Sequence, residues 1–347
     1  MVPTPAQKLL GLELAGGWKV ASIISKDPYH TGGNFSVGYL VESASGDRGF
    51  LKALDFRKLI SPGSSDAVSK MREFTQAFEF ERDLLRQCRD HKMNRVIHLL
   101  ADGDVVVDET AVPYLIFEVA ETDLRKVSLT STTLDAAWVM RTMHTVAVGL
   151  KQLHSKEIAH QDLKPSNVLF VQGGKGKLGD FGRSATKDCT LPHMEYSVAG
   201  DASHAPPEGL YGYTHPDWKH RRFGCDSYQL GSLMVFMLTG VTLTAWMQEA
   251  LADQHRRFKW SGNYHQVLPY LIDAFGRVVD HLREFVPSDI SDPVCQLVRE
   301  LADPDIDQRG DPYQRRIGAN PFMMERYVSR FDHLAKSLEY KLTRNSA

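Results

Sequence analysis

His160-Gln161-Asp162-Leu163-Lys164-Pro165-Ser166-Asn167, followed by Asp180-Phe181-Gly182, decides how this chain reads. The first string sets a carboxylate, an amine and a carboxamide on one short loop. The second adds a carboxylate thirteen residues after Asn167. Transfer of a phosphoryl group calls for such a set: a carboxylate to orient a hydroxyl, a cation for phosphate charge, and oxygen ligands for a hard divalent ion. A polar turn between two strands would not need this order and spacing.

The bulk properties are permissive. The 347 residues allow two domains or one two-part unit. At 42% hydrophobic and 24% charged, the chain can bury a large core. A formal net charge of −2 gives no reason to expect nucleic-acid or membrane partners. Cys88, Cys189, Cys225 and Cys295 lie far apart with no CxxC pair, which fits neither a zinc site nor a disulfide framework, so a cytoplasmic location is expected. Met1–Gly17 has one cation, Lys8, and no apolar core of signal-peptide type. The most apolar stretch, Leu230–Leu243, is interrupted by Gly231, Ser232, Thr239, Gly240 and Thr242 and is too short for a membrane span.

Strand signals dominate the first third. Val20–Ile24, Val37–Glu42 and Phe50–Leu54 are separated by turns at Thr31-Gly32-Gly33-Asn34 and Ser45-Gly46-Asp47. Residues 67–89 carry a helical pattern through Phe74, Phe78, Leu84 and Leu85, and Val96–Leu100 and Tyr114–Val119 read as further strands. The pattern changes near residues 118–126. Leu134–His154 then shows a long helical repeat with Thr133 as its expected N-cap, and most of the remainder is helical. A cleft between two such lobes would be a natural nucleotide site.

These motifs resemble the protein kinase superfamily, and its Ser/Thr branch in particular, over about residues 18–320. The resemblance implies an α+β, bilobal protein-kinase-like fold: a small antiparallel-sheet N-lobe with one helix, and a larger, mainly helical C-lobe. The expected divisions are an extension at 1–17, an N-lobe at 18–120, a C-lobe at 121–320 and a helical extension at 321–347. Asp162 would orient the substrate hydroxyl and Lys164 would steady the transferring phosphoryl group. Asn167 and Asp180 would hold Mg²⁺. Gly33 and Ser36 belong to the glycine-rich turn. Lys52, sixteen residues after Ser36, would take the nucleotide phosphates. Glu81 is expected to hold Lys52, since Leu84 and Leu85 follow at the family's offsets. Glu79 is the rival, and the two lie about 200° apart on a helix. Glu118 and Ala120 would bond adenine through the backbone, with Phe117 behind the pocket and Asp123 within reach of the ribose. His160 would pack on Phe181 and serve structure, as would Asp226 at the start of a central helix. Glu208, in His204-Ala205-Pro206-Pro207-Glu208, would form a buried ion pair with Arg309. That ending separates the chain from aminoglycoside and choline kinases, which share the HxD…N loop.

Four departures stand out. Of the GxGxxGxV pattern only Gly33 remains among the three glycines, and Gly38 replaces the valine. Phe50 replaces a small residue two before Lys52, on the same side of its strand, and would fill the volume Gly38 vacates. Gln161 replaces the arginine that reads a phosphate on the activation segment, so activity is expected without strict dependence on that phosphate. Ser184, Thr186, Thr190, Ser197 and Ser203 remain candidates for autophosphorylation. Asp201 replaces a threonine seven residues before Glu208 and could bond Lys164. His255–Trp260 mixes basic and aromatic residues but is too short for a nucleic-acid surface, and a solvated loop is expected. Tyr327, Phe331, Leu334, Leu338 and Leu342 form a stripe expected to dock on the C-lobe; a homodimer through it is the alternative. The expectation is transfer from Mg·ATP to serine or threonine of a protein substrate. A pseudokinase scaffold is the second reading and a small-molecule kinase the third.

Overall fold

The computed structural model describes residues 3–24, 36–56, 67–130, 134–189 and 191–345. Gly33 and the other turn residues before Ser36 lie outside these, as do Thr133 and Thr190. The chain divides into two compact units between Glu121 and Thr122, with Val171–Lys175 counted in the first.

The first unit is a six-stranded sheet and one helix. Strands β1 (Glu13–Leu14), β2 (Trp18–Ile23), β3 (Ser36–Glu42) and β4 (Arg48–Leu54) precede helix α1 (Ala67–Asp90); β5 (Leu99–Val107) and β6 (Thr110–Glu118) follow it. The spatial order is β1-β2-β3-β4-β6-β5, each paired antiparallel with its neighbour. Alternation decides the faces. Val37, Tyr39 and Val41 of β3 and Leu51 and Ala53 of β4 enter the core with Val20, Tyr114 and Ile116, while Gly38, Phe50 and Lys52 take the opposite face. Residues before Trp18, expected as an extension, belong to this core. Ala6, Leu9 and Leu14 are buried in it, and Tyr39 Oη donates to the Ala6 carbonyl at 2.8 Å. Burying a leucine-sized side chain contributes about 2 kcal/mol, enough to hold a short segment that shows no strong strand signal of its own.

The second unit starts with β7 (Ala120–Asp123, which straddles the divide), α2 (Leu124–Thr130) and α3 (Ala136–His154). The cap of α3 is Asp135, whose Oδ1 accepts from Trp138 N at 2.9 Å, so the expected Thr133 cap is replaced by a residue two further on. The stretch 160–167 runs between β8 (Ile158–Ala159) and β9 (Val168–Val171); β10 (Lys175–Leu178) and β11 (Ala185–Thr186) follow. Then come α4 (Pro207–Leu210), α5 (Trp218–Thr239), α6 (Leu243–Ala250), α7 (Tyr264–Leu282), α8 (Ser291–Ala302), α9 (Pro312–Arg316) and α10 (Glu325–Asn345). Helix α5 is buried along most of its length and packs against α3, α6 and α8. It starts earlier than expected, capped by Asp217, whose Oδ1 accepts from His220 N at 2.9 Å. Asp226 is therefore an interior residue of the helix, not its first.

Helix α10 lies on α3 and buries Tyr327, Phe331, Leu334 and Leu338, leaving Leu342 half exposed. Arg141 of α3 binds Asp332 at 2.8 Å and Glu339 at 2.7 Å across that contact. The stripe is thus spent within the chain. Around His255–Trp260, Lys259 and Arg256 pair with Asp253 and Phe258 points to solvent. Among the described residues, no single helix is long and apolar enough to cross a membrane.

Candidate active site

In the first unit, Lys52 Nζ lies 2.9 Å from both Glu81 oxygens. Glu81 is buried on the sheet-facing side of α1 with Leu84, Leu85 and Cys88, and Glu79 is exposed. The half-turn offset between the two glutamates decides which one the sheet buries. An ammonium held by both oxygens of one carboxylate is fixed in place. Phe50 lies on the Lys52 face. A Cβ built on Gly38 would meet the Phe50 ring at 3.0 Å, so Gly38 and Phe50 fit each other as the exchange of volumes requires. The Phe50 and Phe117 centroids are 6.4 Å apart. The Glu118 side chain accepts from His98 N at 2.7 Å, and its own N donates to the His98 carbonyl at 3.1 Å. Its side chain is thus committed to the start of the neighbouring strand. Ala120 opens β7, and Ser36 opens β3.

In the second unit, the loop 160–167 converges on Asp162. Lys164 Nζ sits 3.0 Å from Asp162 Oδ2 and 3.7 Å from Asp201. Asn167 Nδ2 donates to the Asp162 carbonyl at 2.7 Å and approaches Oδ2 at 3.2 Å. Asp201 N donates to Asp162 Oδ1 at 2.8 Å. Burial alone would raise the Asp201 pKa. Bonds from Ser203 Oγ and N, with Lys164 and His204 nearby, carry it below the ordinary carboxylate range. Asp201 therefore stays charged beside Lys164, where a threonine would have been neutral. Asp123 caps α2, its Oδ1 accepting from Lys126 N at 2.9 Å, which leaves one oxygen for any sugar hydroxyl.

Behind this loop stands α5. Asp226 is fully buried, and its oxygens accept from His160 N (2.8 Å), Gln161 N (2.7 Å) and face His154 Nε2 (2.8 Å). Burial opposes its charge, but His154, His160 and the Gln161 amide outweigh that and lower its pKa. His160 packs against Phe181 with the rings tilted and centroids 5.1 Å apart; its Nε2 reaches the Gly179 carbonyl at 3.1 Å and its Nδ1 accepts from Asp162 N at 3.3 Å. Both ring nitrogens are committed to backbone, which leaves the buried Asp162 carboxylate as the candidate base. Ser184 is buried, its hydroxyl 3.4 Å from the His160 carbonyl, and is closed to modification in this conformation.

His204 is buried beside the same segment. Desolvation pushes its pKa down to about 4, against the opposing charge of Asp201, with Lys164 adding to the depression. The unfolded chain takes up that proton near 6.5, so the stability held above pH 6.5 is lost as pH falls toward 4. At pH 5 the loss is about 2 kcal/mol. Melting curves at pH 5 and pH 7 should show this gap narrowing in His204→Gln; an unchanged gap would rule the linkage out.

The donors fit magnesium. Asn167 spends its amide NH₂ on Asp162 and so presents its carbonyl oxygen, and Asp180 is an exposed carboxylate on a backbone at φ +60. Two hard oxygens of this kind, completed by water and phosphate, are what that ion takes. A softer set, His215, Asp217 and His220, gathers within 4.8 Å, but its groups bond one another and Asp307. Arg222 and Gln229, which bind the loop from α5, were missed from sequence: Arg222 sits in a His220-Arg221-Arg222 run that looks solvated, and only the packing of α5 buries it.

Sheet unit, helical unit and loop together define a kinase-type domain. The chain belongs to the protein kinase family: the family's sequence model, described as protein kinase domain, matches residues 63–320. It is similar to mitogen-activated protein kinase 5 of Arabidopsis thaliana, 30% identical over 137 residues (37% of this chain, 36% of the relative). It also resembles the mitogen-activated protein kinase homolog NTF3 of Nicotiana tabacum, at 32% over 125 residues (33% of each). With mitogen-activated protein kinase HOG1 of Hortaea werneckii it shares 27% over 192 residues (55% of this chain, 47% of the relative). The matched regions span from a third to about half the length of these relatives.

Proposed function

We propose that the chain transfers the γ-phosphoryl group of Mg·ATP to serine or threonine hydroxyls of a protein, in the cytoplasm. One observation carries this reading: the Asp162 carboxylate is held by Lys164 and by Asp201 N while Asn167 braces the loop beneath it. Asp162 would orient the substrate hydroxyl and receive its proton as the oxygen attacks phosphorus. Lys164 would meet negative charge on the transferring oxygens, and Lys52, fixed by Glu81, would bind the phosphates that remain with the nucleotide. Asn167 and Asp180 would hold magnesium, which when bound supplies positive charge to the phosphate oxygens. Lysine at 164 and the similarity to mitogen-activated protein kinases support the Ser/Thr class. Acid hydrolysis of a labelled substrate protein tests it: phosphoserine or phosphothreonine is expected, and phosphotyrosine alone would contradict the class.

A specific observation favours a second reading, a nucleotide-free scaffold: the Phe50 ring sits against Gly38 on the Lys52 face. Under the enzymatic reading Phe50 is part of the adenine wall, and Phe50→Ala should change ATP affinity about 10-fold, since removing a packed ring costs more than one methylene. Titration of both proteins with a fluorescent ATP analogue checks this. Identical affinities would remove Phe50 from the wall, and no binding by either would favour the scaffold.

A further inference from the structure

Gln161 has every polar atom engaged although it is buried and its backbone sits at φ +66. Its N donates to Asp226 Oδ1 at 2.7 Å and its carbonyl accepts from Gln229 Nε2 at 3.1 Å. Its side-chain Nε2 donates to the Arg222 carbonyl at 2.8 Å, and its Oε1 accepts from Arg222 Nη1 at 3.1 Å. All of these partners lie on α5. The other end of the same guanidinium, Nη2, donates to the Met194 carbonyl in the activation segment. One buried side chain thus ties the segment's backbone to the residue next to Asp162.

The segment is docked a second time further on. Asp201 N bonds Asp162, and at Gly200 a Cβ would come within 2.5 Å of Asp162 Oδ1 and 2.6 Å of the Gln161 carbonyl. Only glycine allows that approach. Both docking points converge on residues 161 and 162, and neither uses a phosphate.

Arg222 is 4% exposed, and burial, with Arg221 beside it, disfavours its charge. A buried guanidinium is costly unless its donors are used. Here Nη1 and Nη2 each donate to a carbonyl oxygen from a different segment while Nε is left without a partner, an arrangement that a planar fork suits and a lysine does not. An arginine at 161 would bring a second cation up to the first, where repulsion in a desolvated site is large. Gln161 and Arg222 therefore form a matched pair.

We propose that Arg222 is a positioning residue: its fork between Gln161 and Met194 holds the activation segment against Asp162, so that the segment needs no phosphate to be competent. This rests on the phosphoryl-transfer reading above and concerns its regulation.

The test uses the full chain, before and after phosphatase, with Arg222→Lys, Arg222→Met and Gln161→Arg. Rates at varied ATP and substrate protein are measured together with hydrogen exchange across residues 191–203. Phosphatase-treated wild type should keep its rate. Arg222→Met and Gln161→Arg should lose about 10²-fold in kcat with little change in KM for ATP, and amides near Met194 should exchange faster. Arg222→Lys, which keeps charge but not the fork, should fall between and serves where Arg222→Met does not fold. Wild-type kcat and protection in a folded Arg222→Lys or Arg222→Met, or loss of wild-type activity on phosphatase treatment, would overturn the proposal. A wild type that transfers no phosphate under any condition would sink the enzymatic reading instead. The exchange comparison would still decide whether Arg222 docks the segment.

Discussion

Arg309→Met should lower the stability of the chain by about 3–5 kcal/mol. Arg309 is fully buried in the second unit, and its Nη1 and Nη2 each lie 2.7 Å from an oxygen of Glu208. Its Nε donates to the Asp303 carbonyl at 2.8 Å and Nη1 also reaches the Gly224 carbonyl at 3.0 Å. The guanidinium lies over the Tyr228 ring. Burial alone would weaken its basicity, but the Glu208 charge more than offsets this, so Arg309 stays charged. Removing the cation leaves Glu208 charged, buried and unpaired, and frees two carbonyls at once. The cost comes from that orphaned carboxylate more than from the pair's own net value, so Arg309→Met with Glu208→Leu should recover much of the loss. Thermal unfolding should show the single variant melting roughly 5–10 °C lower. A single variant that melts with wild type would mean the pair is not what fixes the end of the activation segment to α5.

Asp162→Asn should cut phosphoryl transfer by about 10²–10⁴-fold while leaving the fold intact. Asparagine keeps the shape, and its Oδ1 can still accept from Asp201 N. What it loses is the negative charge 3.0 Å from Lys164 and the ability to receive a proton. ATP affinity should change little, because the Lys52–Glu81 pair proposed to meet the phosphates belongs to the first unit. A rate within a few-fold of wild type would assign the base elsewhere, and since both His160 nitrogens are engaged with backbone, it would call the catalytic loop itself into question.

The geometry of loop 160–167 was legible because its residues lie within eight positions of one another, so spacing alone brings their side chains together. Lys52 and Glu81 were legible for a related reason: strand alternation and helix periodicity put one on a face and the other at a buried turn. Long-range partners were not. Nothing near Arg222 in sequence marks it as buried, and its three carbonyl and amide partners lie 28 to 61 residues away. The first seventeen residues are rich in leucine but broken by Pro3, Pro5 and Gly11 and nearly without β-branched residues, so they announce no strand, yet Leu9 and Leu14 complete the sheet's core. Helix ends were displaced in the same way: Asp135 and Asp217 cap α3 and α5 at positions that several nearby polar residues could have filled.

Under the proposed function, this chain moves phosphate from ATP to protein. Purified wild type and Asp162→Asn, each incubated with Mg·ATP labelled at the γ-position and a generic Ser/Thr protein substrate, test it most directly. Label is expected on the substrate with wild type and almost none with Asp162→Asn. Nucleotide binding by a folded wild type without any transfer, or equal transfer by both proteins, would contradict it.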